Sequence, residues 1–63
     1  MTVFDFVGVL DREQPIVIVG NFAAGLYRTV AGELVSSNLL SRQVLRAYAH
    51  DYQNEIVIET VDK

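Results

Sequence analysis

Residues 15–21 read Pro-Ile-Val-Ile-Val-Gly-Asn, and this stretch decides the fold. The consecutive β-branched apolar residues at 16–19 favour a strand that is buried on both faces. Proline is tolerated as the first residue of a strand, and the Gly20-Asn21 pair is a turn signal that ends it. The stretch therefore predicts a strand covered on both sides.

Three further strands are predicted downstream. Residues 26–30 (Leu-Tyr-Arg-Thr-Val) return from the turn and complete a hairpin, whose loop of about six residues is longer than the tightest types. Residues 44–50 and 55–61 form a second pair, joined by a polar turn at 51–54. The last strand is apolar on both faces at 56–58, which suits a central position in a sheet.

The strand at 44–50 has an unusual alternation, because successive side chains of a strand point to opposite faces. One predicted face carries Val44, Arg46, Tyr48 and His50. The other carries Leu45, Ala47 and Ala49. The second face is apolar but small, which suits the close approach of a helix or a second sheet.

A short helix is predicted before the first strand. Thr2 caps its N-terminus, and Asp5 places a negative charge in the first turn, where the helix dipole favours it. Its apolar stripe consists of Val3, Phe6, Val7 and Leu10. The helix ends before Pro15. Between the two hairpins, residues 31–35 predict a short helix or helical turn, residues 36–38 a polar loop, and residues 39–40 (Leu-Leu) a buried anchor.

These elements predict a single α+β domain over residues 1–63, in the order α-β-β-α-β-β. We expect a small four-stranded, mainly antiparallel sheet with the N-terminal helix packed on one face. The other face is partly apolar and partly lined by tyrosine and arginine, which makes it a natural surface for a dimer.

The composition excludes several kinds of site and partner. The chain has 63 residues, no cysteine and a single histidine, so disulfides, thiolate sites and histidine-rich metal clusters are excluded. We expect no cofactor and no metal. A net charge of −3 argues against a direct nucleic-acid partner. No signal peptide or membrane span is evident, so we expect no membrane partner and a cytoplasmic location.

The apolar content indicates a partner chain. Hydrophobic residues make up 51% of the sequence and the mean hydropathy is +0.26, although so small a domain has proportionally more surface to cover. Exposed apolar patches usually mark interfaces. We therefore expect a homodimer or a higher homo-oligomer; the alternative is a dense core beneath an ordinary surface.

Two groups of residues are candidates for a site. The first, His50 and Asp51 with Glu55 nearby, has the residue types of a general base held by a carboxylate, or of an ordinary polar turn. The second is a group of arginines and aromatic residues that predicts a ligand- or partner-binding surface, with His50 adjoining it. Its members are Arg28, Arg46, Tyr27, Tyr48 and Tyr52. The alternative for this group is a sheet surface on which arginine stems pack over aromatic rings. No catalytic motif accompanies either group.

The acidic residues are scattered rather than clustered. On one contiguous face they would imitate a phosphate backbone; otherwise they keep an apolar protein in solution.

Three segments carry a resemblance to a known group. They are Val-Phe-Asp-Phe-Val at 3–7, the Gly-Leu-Tyr-Arg-Thr-Val-Ala-Gly-Glu-Leu run at 25–34, and His-Asp-Tyr-Gln-Asn-Glu-Ile-Val-Ile-Glu at 50–59. With residues 16–18, they make the chain similar to very small uncharacterised proteins encoded by phages and prophages of Gram-positive bacteria. The resemblance implies a phage accessory gene and no catalytic residues. Such genes include inhibitors of bacterial immunity, among them anti-CRISPR proteins.

The leading hypothesis is a non-enzymatic, self-associating phage protein that occludes a host protein, with an anti-defence role as its most concrete form. The alternative is an oligomer that sequesters a small anionic, nucleotide-like ligand through Arg46, Tyr48 and Arg28. An enzyme is the third possibility, and it would require an activity that depends on His50.

Overall fold

A computed structural model describes residues 1–50 and 54–62 of the chain. Two short α-helices, a 3₁₀ turn and four strands make up this part. In chain order they are α1 (Val3–Val7), β1 (Pro15–Val19), β2 (Leu26–Val30), the 3₁₀ turn (Ala31–Glu33), α2 (Ser37–Leu40), β3 (Gln43–His50) and β4 (Glu55–Val61). The α+β class and the four strands predicted from the sequence are confirmed.

The four strands form one sheet in the order β2-β1-β4-β3. β1 pairs with β2, and β3 with β4, in antiparallel fashion, as the two predicted hairpins require. The central pair, β1 and β4, is parallel, with Ile16 opposite Ile56 and Ile18 opposite Ile58. The sheet is therefore mixed.

The prediction of a mainly antiparallel sheet is wrong at this central pair. Parallel strands lie in the interior of a sheet and read as continuous apolar runs. Both central strands have such runs, at 16–19 and 56–58. The segment from the 3₁₀ turn through α2 returns the chain across the sheet, so that the second hairpin docks with β4 beside β1. This pairing depends on the route of the connection, which the local sequence of the strands does not specify.

The hydrophobic core lies on one face of the sheet, between the sheet and the helical segments. Its fully or nearly fully buried members are Val3, Ile16, Ile18, Leu34 and Ile58. Partly buried side chains surround them: Phe6, Val7, Leu10, Phe22, Leu39, Leu40, Val44, Ala47 and Ile56. The predicted helix stripe and the predicted Leu-Leu anchor thus both pack against this core.

Both helices begin with a side-chain cap. Thr2 and Asp5 form a capping box, in which the Thr2 hydroxyl accepts from the Asp5 N–H and the Asp5 carboxylate accepts from the Thr2 N–H. The second helix was predicted as a loop, and that part of the prediction is wrong. Ser36 caps it by accepting from the Leu39 N–H. Four residues are too few to show a helical period in the sequence.

A register shift in β3 changes which residues share a face. The ladder with β4 is irregular between Val44 and Arg46, so Val44 lies opposite Thr60 and packs against the core. The prediction that Val44 shares a face with Arg46 is therefore wrong. Because a bulge inserts one extra residue, the positions before it lie on the face opposite to the one that simple alternation predicts.

Candidate interaction surface

The face of the sheet opposite the core is referred to as the open face. Paired residues of neighbouring strands have side chains on the same face, so the register defines it. Across the middle of the sheet it carries Arg28, Val17, Val57 and Tyr48, and in the next row Leu26, Val19, Glu59 and Arg46. The core cluster contains no residue of these two rows.

The centre of the open face is apolar. Val17, at this centre, is only 3% exposed and is not a member of the core cluster. Its paired neighbours on the adjacent strands are Arg28 and Val57. Leu26 and Tyr48, near the two margins of the face, are each 45% exposed. An apolar centre with arginine and tyrosine around it has the composition of a protein interface.

Arg46 and Glu59 form a two-pronged ion pair between β3 and β4. Arg46 Nε donates to Glu59 Oε1 at 2.9 Å, and Nη2 donates to Oε2 at 3.0 Å. The hydrogen bond from Arg46, followed by its positive charge, lowers the pKa of Glu59, and the same contact raises the pKa of Arg46. The Arg46 guanidinium also lies over the Tyr48 ring, 5.5 Å from its centroid.

Arg28 makes the second ion pair of the open face. Its Nη1 lies 3.6 Å from Oε2 of Glu55, whose side chain is only 11% exposed. Each arginine of the face thus already faces a carboxylate. In these two pairs, the two positive charges of the arginines are balanced by two carboxylates.

The structure separates the residues that the sequence singled out. Arg28, Arg46, Tyr48 and His50 lie on the open face. Tyr27 pairs with Ile18 and so lies on the core face, near the outer edge of the sheet. Tyr52 lies outside the described residues, as does Asp51, the carboxylate predicted to hold His50.

Within residues 1–50 and 54–62, the outer edge of β3 is covered only at its beginning. The Val44 N–H donates to the Met1 carbonyl at 2.8 Å, and the Val3 N–H donates to the Arg42 carbonyl at 2.9 Å. In the part of the chain that the structure describes, no strand pairs with this edge from residue 45 to residue 50. Leu45, at the start of this open stretch, is 65% exposed.

A second surface lies on the helical side of the molecule. It is an open groove of about 590 Å³ beside α1, with Leu34 and Leu40 among its lining residues. Phe4 and Val9 line it and remain largely exposed, while Asp5 and Arg12 add one charge of each sign. Most of the residues that line the groove are apolar.

The structure shows a cluster around the buried Arg42, at one end of the sheet, that was not predicted from the sequence. Arg42 is 6% exposed, and its Nε donates to Thr60 Oγ1 at 2.8 Å. Its Nη2 donates to Asn21 Oδ1, and its guanidinium lies 5.0 Å from the centroid of the Phe22 ring. These contacts tie the β1–β2 loop to β4. A single arginine in a polar stretch looks like a surface residue, so only the fold reveals this role.

The described residues contain no group of three side chains suited to hold a metal ion. Nor does this part of the chain include a helix with the length and apolar character needed to cross a membrane. Comparison with protein-family models, with curated proteins and with solved structures finds no match. The open face and the edge of β3 are therefore the surfaces that bear on function.

Proposed function

We propose that the chain is a non-enzymatic, self-associating phage accessory protein that binds a host protein in the host cytoplasm and occludes its surface. An inhibitor of a host defence system is the most specific form of this proposal. The observation that carries it is the open face, where apolar side chains form a continuous centre and both arginines are neutralised within the chain.

A protein partner suits this face better than a small anion. A phosphate or carboxylate ligand would compete with Glu59 for the fork of Arg46, and with Glu55 for Arg28. A protein partner can bind without displacing either glutamate from its arginine. It can cover Leu26 and Tyr48 while leaving both ion pairs in place at the rim, where charges set orientation more than affinity.

Self-association is supported by the size of the domain. A chain of 63 residues buries only about 60% of the surface that it exposes when unfolded, so its own core gives little reserve of stability. Among the residues that the structure describes, eight large apolar ones remain exposed, including Leu45 and Tyr48 on β3. Burying such side chains against a second copy adds apolar area that the single chain cannot provide.

The first test is native mass spectrometry of untagged protein purified from its host. A dimer or larger oligomer at the mass of the bare chains is the expected result. A monomer at every concentration would contradict self-association. An oligomer that carries a few hundred extra daltons would instead support the sequestering of a small ligand.

The second test concerns the host partner. Leu26→Ser alters the open face far from β3, whereas Val9→Ser removes an exposed apolar side chain from the helical side. Host proteins captured by the wild type should be lost with Leu26→Ser and retained with Val9→Ser. The reverse pattern would transfer the binding site to the groove beside α1 and would contradict the assignment to the open face.

A further inference from the structure

The open stretch of β3 has few of the features that prevent edge strands from pairing. Proteins protect exposed edges with lysine, proline, short strands or bulges. β3 is eight residues long and contains neither lysine nor proline. Its irregularity lies between Val44 and Arg46, beside the part that Met1 already covers. Beyond it the ladder with β4 is regular, and the other edge of residues 45–50 is unpaired within the described chain.

We propose that this edge pairs with the same edge of a second copy, antiparallel and across a two-fold axis at Ala47. The inference rests on the self-association proposed above and specifies its geometry. The two sheets would join into one sheet of eight strands, built from two copies of the observed order β2-β1-β4-β3. An isologous contact of this kind closes on itself and leaves no further β3 edge to propagate.

The face of each residue limits the possible registers. A two-fold axis perpendicular to the sheet keeps the core faces of both copies on one side, so each residue pairs with one from the same face. The axis must therefore pass through a residue rather than between two. Near the middle of the open stretch, the axis can pass through Arg46, Ala47 or Tyr48.

The charges of the side chains that face each other favour one of these three registers. An axis at Arg46 sets two guanidinium groups opposite each other, which is unfavourable, and it draws on Val44, whose N–H is already bound to Met1. An axis at Tyr48 sets Arg46 opposite His50, which repels it whenever the imidazole is charged. An axis at Ala47 sets Arg46 opposite Tyr48 of the second copy.

The register at Ala47 extends contacts that each chain already makes. The Arg46 guanidinium lies over the Tyr48 ring of its own chain and is held there by Glu59. Tyr48 of the second copy would extend this stack across the axis, where cation–π contacts are favourable. The two open faces would then form one surface, with a doubled Arg46–Tyr48 cluster at its centre.

Single cysteines test the register directly, because the chain has none of its own. Directly opposed residues of antiparallel strands have Cα atoms roughly 4.5–5.5 Å apart, which lies within the range that a disulfide spans. Under mild oxidation Ala47→Cys should form a linked dimer. Leu26→Cys, on the opposite edge of the sheet, is the matched control. We expect the Ala47→Cys dimer to form on the order of tenfold faster, because pairing holds the two thiols together.

A mixture of two variants provides a check that leaves Ala47 unchanged. Arg46→Cys and Tyr48→Cys should each link poorly alone but should form a mixed dimer when combined. Efficient linkage of Arg46→Cys alone, or of Tyr48→Cys alone, would place the axis at that residue and overturn the proposed register.

Sedimentation of the wild type separates this inference from the proposed function. If the wild type is a dimer while Ala47→Cys links no faster than Leu26→Cys and the mixture gives no mixed dimer, the edge pairing is wrong and self-association stands. If the wild type is a monomer at all concentrations, both proposals fail.

Discussion

At the scale of single residues, the Arg42 cluster is where small changes should matter most. Thr60 accepts from Arg42 Nε and donates to the Val19 carbonyl at 3.0 Å, so its hydroxyl has one buried and one partly buried partner. Thr60→Val keeps the shape but removes both hydrogen bonds. We expect it to lower the free energy of unfolding in urea by about 1–3 kcal/mol. Thr29→Val, at a half-buried position on β2, is the control and should change it by less than about 0.5 kcal/mol. Equal effects of the two substitutions would contradict the cluster's role.

Gly20 packs directly against the same cluster, because Arg42 and Thr60 occupy the space that a side chain at this position would need. A Cβ atom there would lie 2.6 Å from Arg42 Nη2 and 2.8 Å from the Thr60 carbonyl oxygen. Gly20→Ala should therefore destabilise the fold by about 1–3 kcal/mol through overpacking. At Gly8 the nearest atoms would be 3.4 Å away and the backbone is helical, so Gly8→Ala should be neutral or slightly stabilising. Thermal unfolding of the two variants makes the comparison, and a Gly20→Ala protein as stable as the wild type would refute the packing argument.

At the scale of elements, the ion pair between β3 and β4 predicts a dependence on pH. Arg46 lowers the pKa of Glu59 in the folded chain below its ordinary value of 4.5. The stabilisation is therefore complete above that value and is lost as the pH falls through the folded-state pKa. Glu59→Gln should lower stability near neutral pH, and the difference from wild type should shrink on acidification below about pH 4.5. Glu33→Gln, an exposed glutamate outside both ion pairs, should show no such trend. A difference for Glu59→Gln that stays constant with pH would contradict this account.

The elements also show how far the sequence could predict the fold. The strand at Ile16 and the bounds of β4 were evident because apolar runs and turn signals are local. The capping box at Thr2 was evident for the same reason. The parallel pairing of β1 with β4 was not, since it depends on where the connection between the hairpins crosses the sheet. The shift beside Val44 was also hidden, because a bulge leaves no mark in composition while it reverses the face of its neighbours.

The candidate surface was predictable in part for related reasons. Arg46 and Tyr48 are two residues apart in a strand, so their shared face follows from the period of the strand. That Arg28 joins them could not be foreseen, because its place depends on β1 and β4 lying between the two outer strands. The carboxylates that hold both arginines were in the sequence as scattered acids, and only the register brings Glu55 and Glu59 to them.

At the scale of the whole molecule, stability should depend on protein concentration. If folding is coupled to dimer formation, mass action makes unfolding harder as the concentration rises. A tenfold increase adds about 1.4 kcal/mol per dimer, or about 0.7 kcal/mol per chain, which corresponds to a rise in Tm of roughly 3–6 °C for a domain of this size.

Two variants test whether the edge of β3 causes this dependence of Tm on concentration. Ala49→Lys places a charge on the open edge of β3 and should abolish the dependence, whereas Leu26→Lys on the β2 edge should preserve it. Because Leu26 and Ala49 are both exposed, neither change should disturb the core. A wild-type Tm that stays constant over a hundredfold range of concentration would mean that the single chain is stable alone, and its exposed apolar residues would then have to serve a different partner.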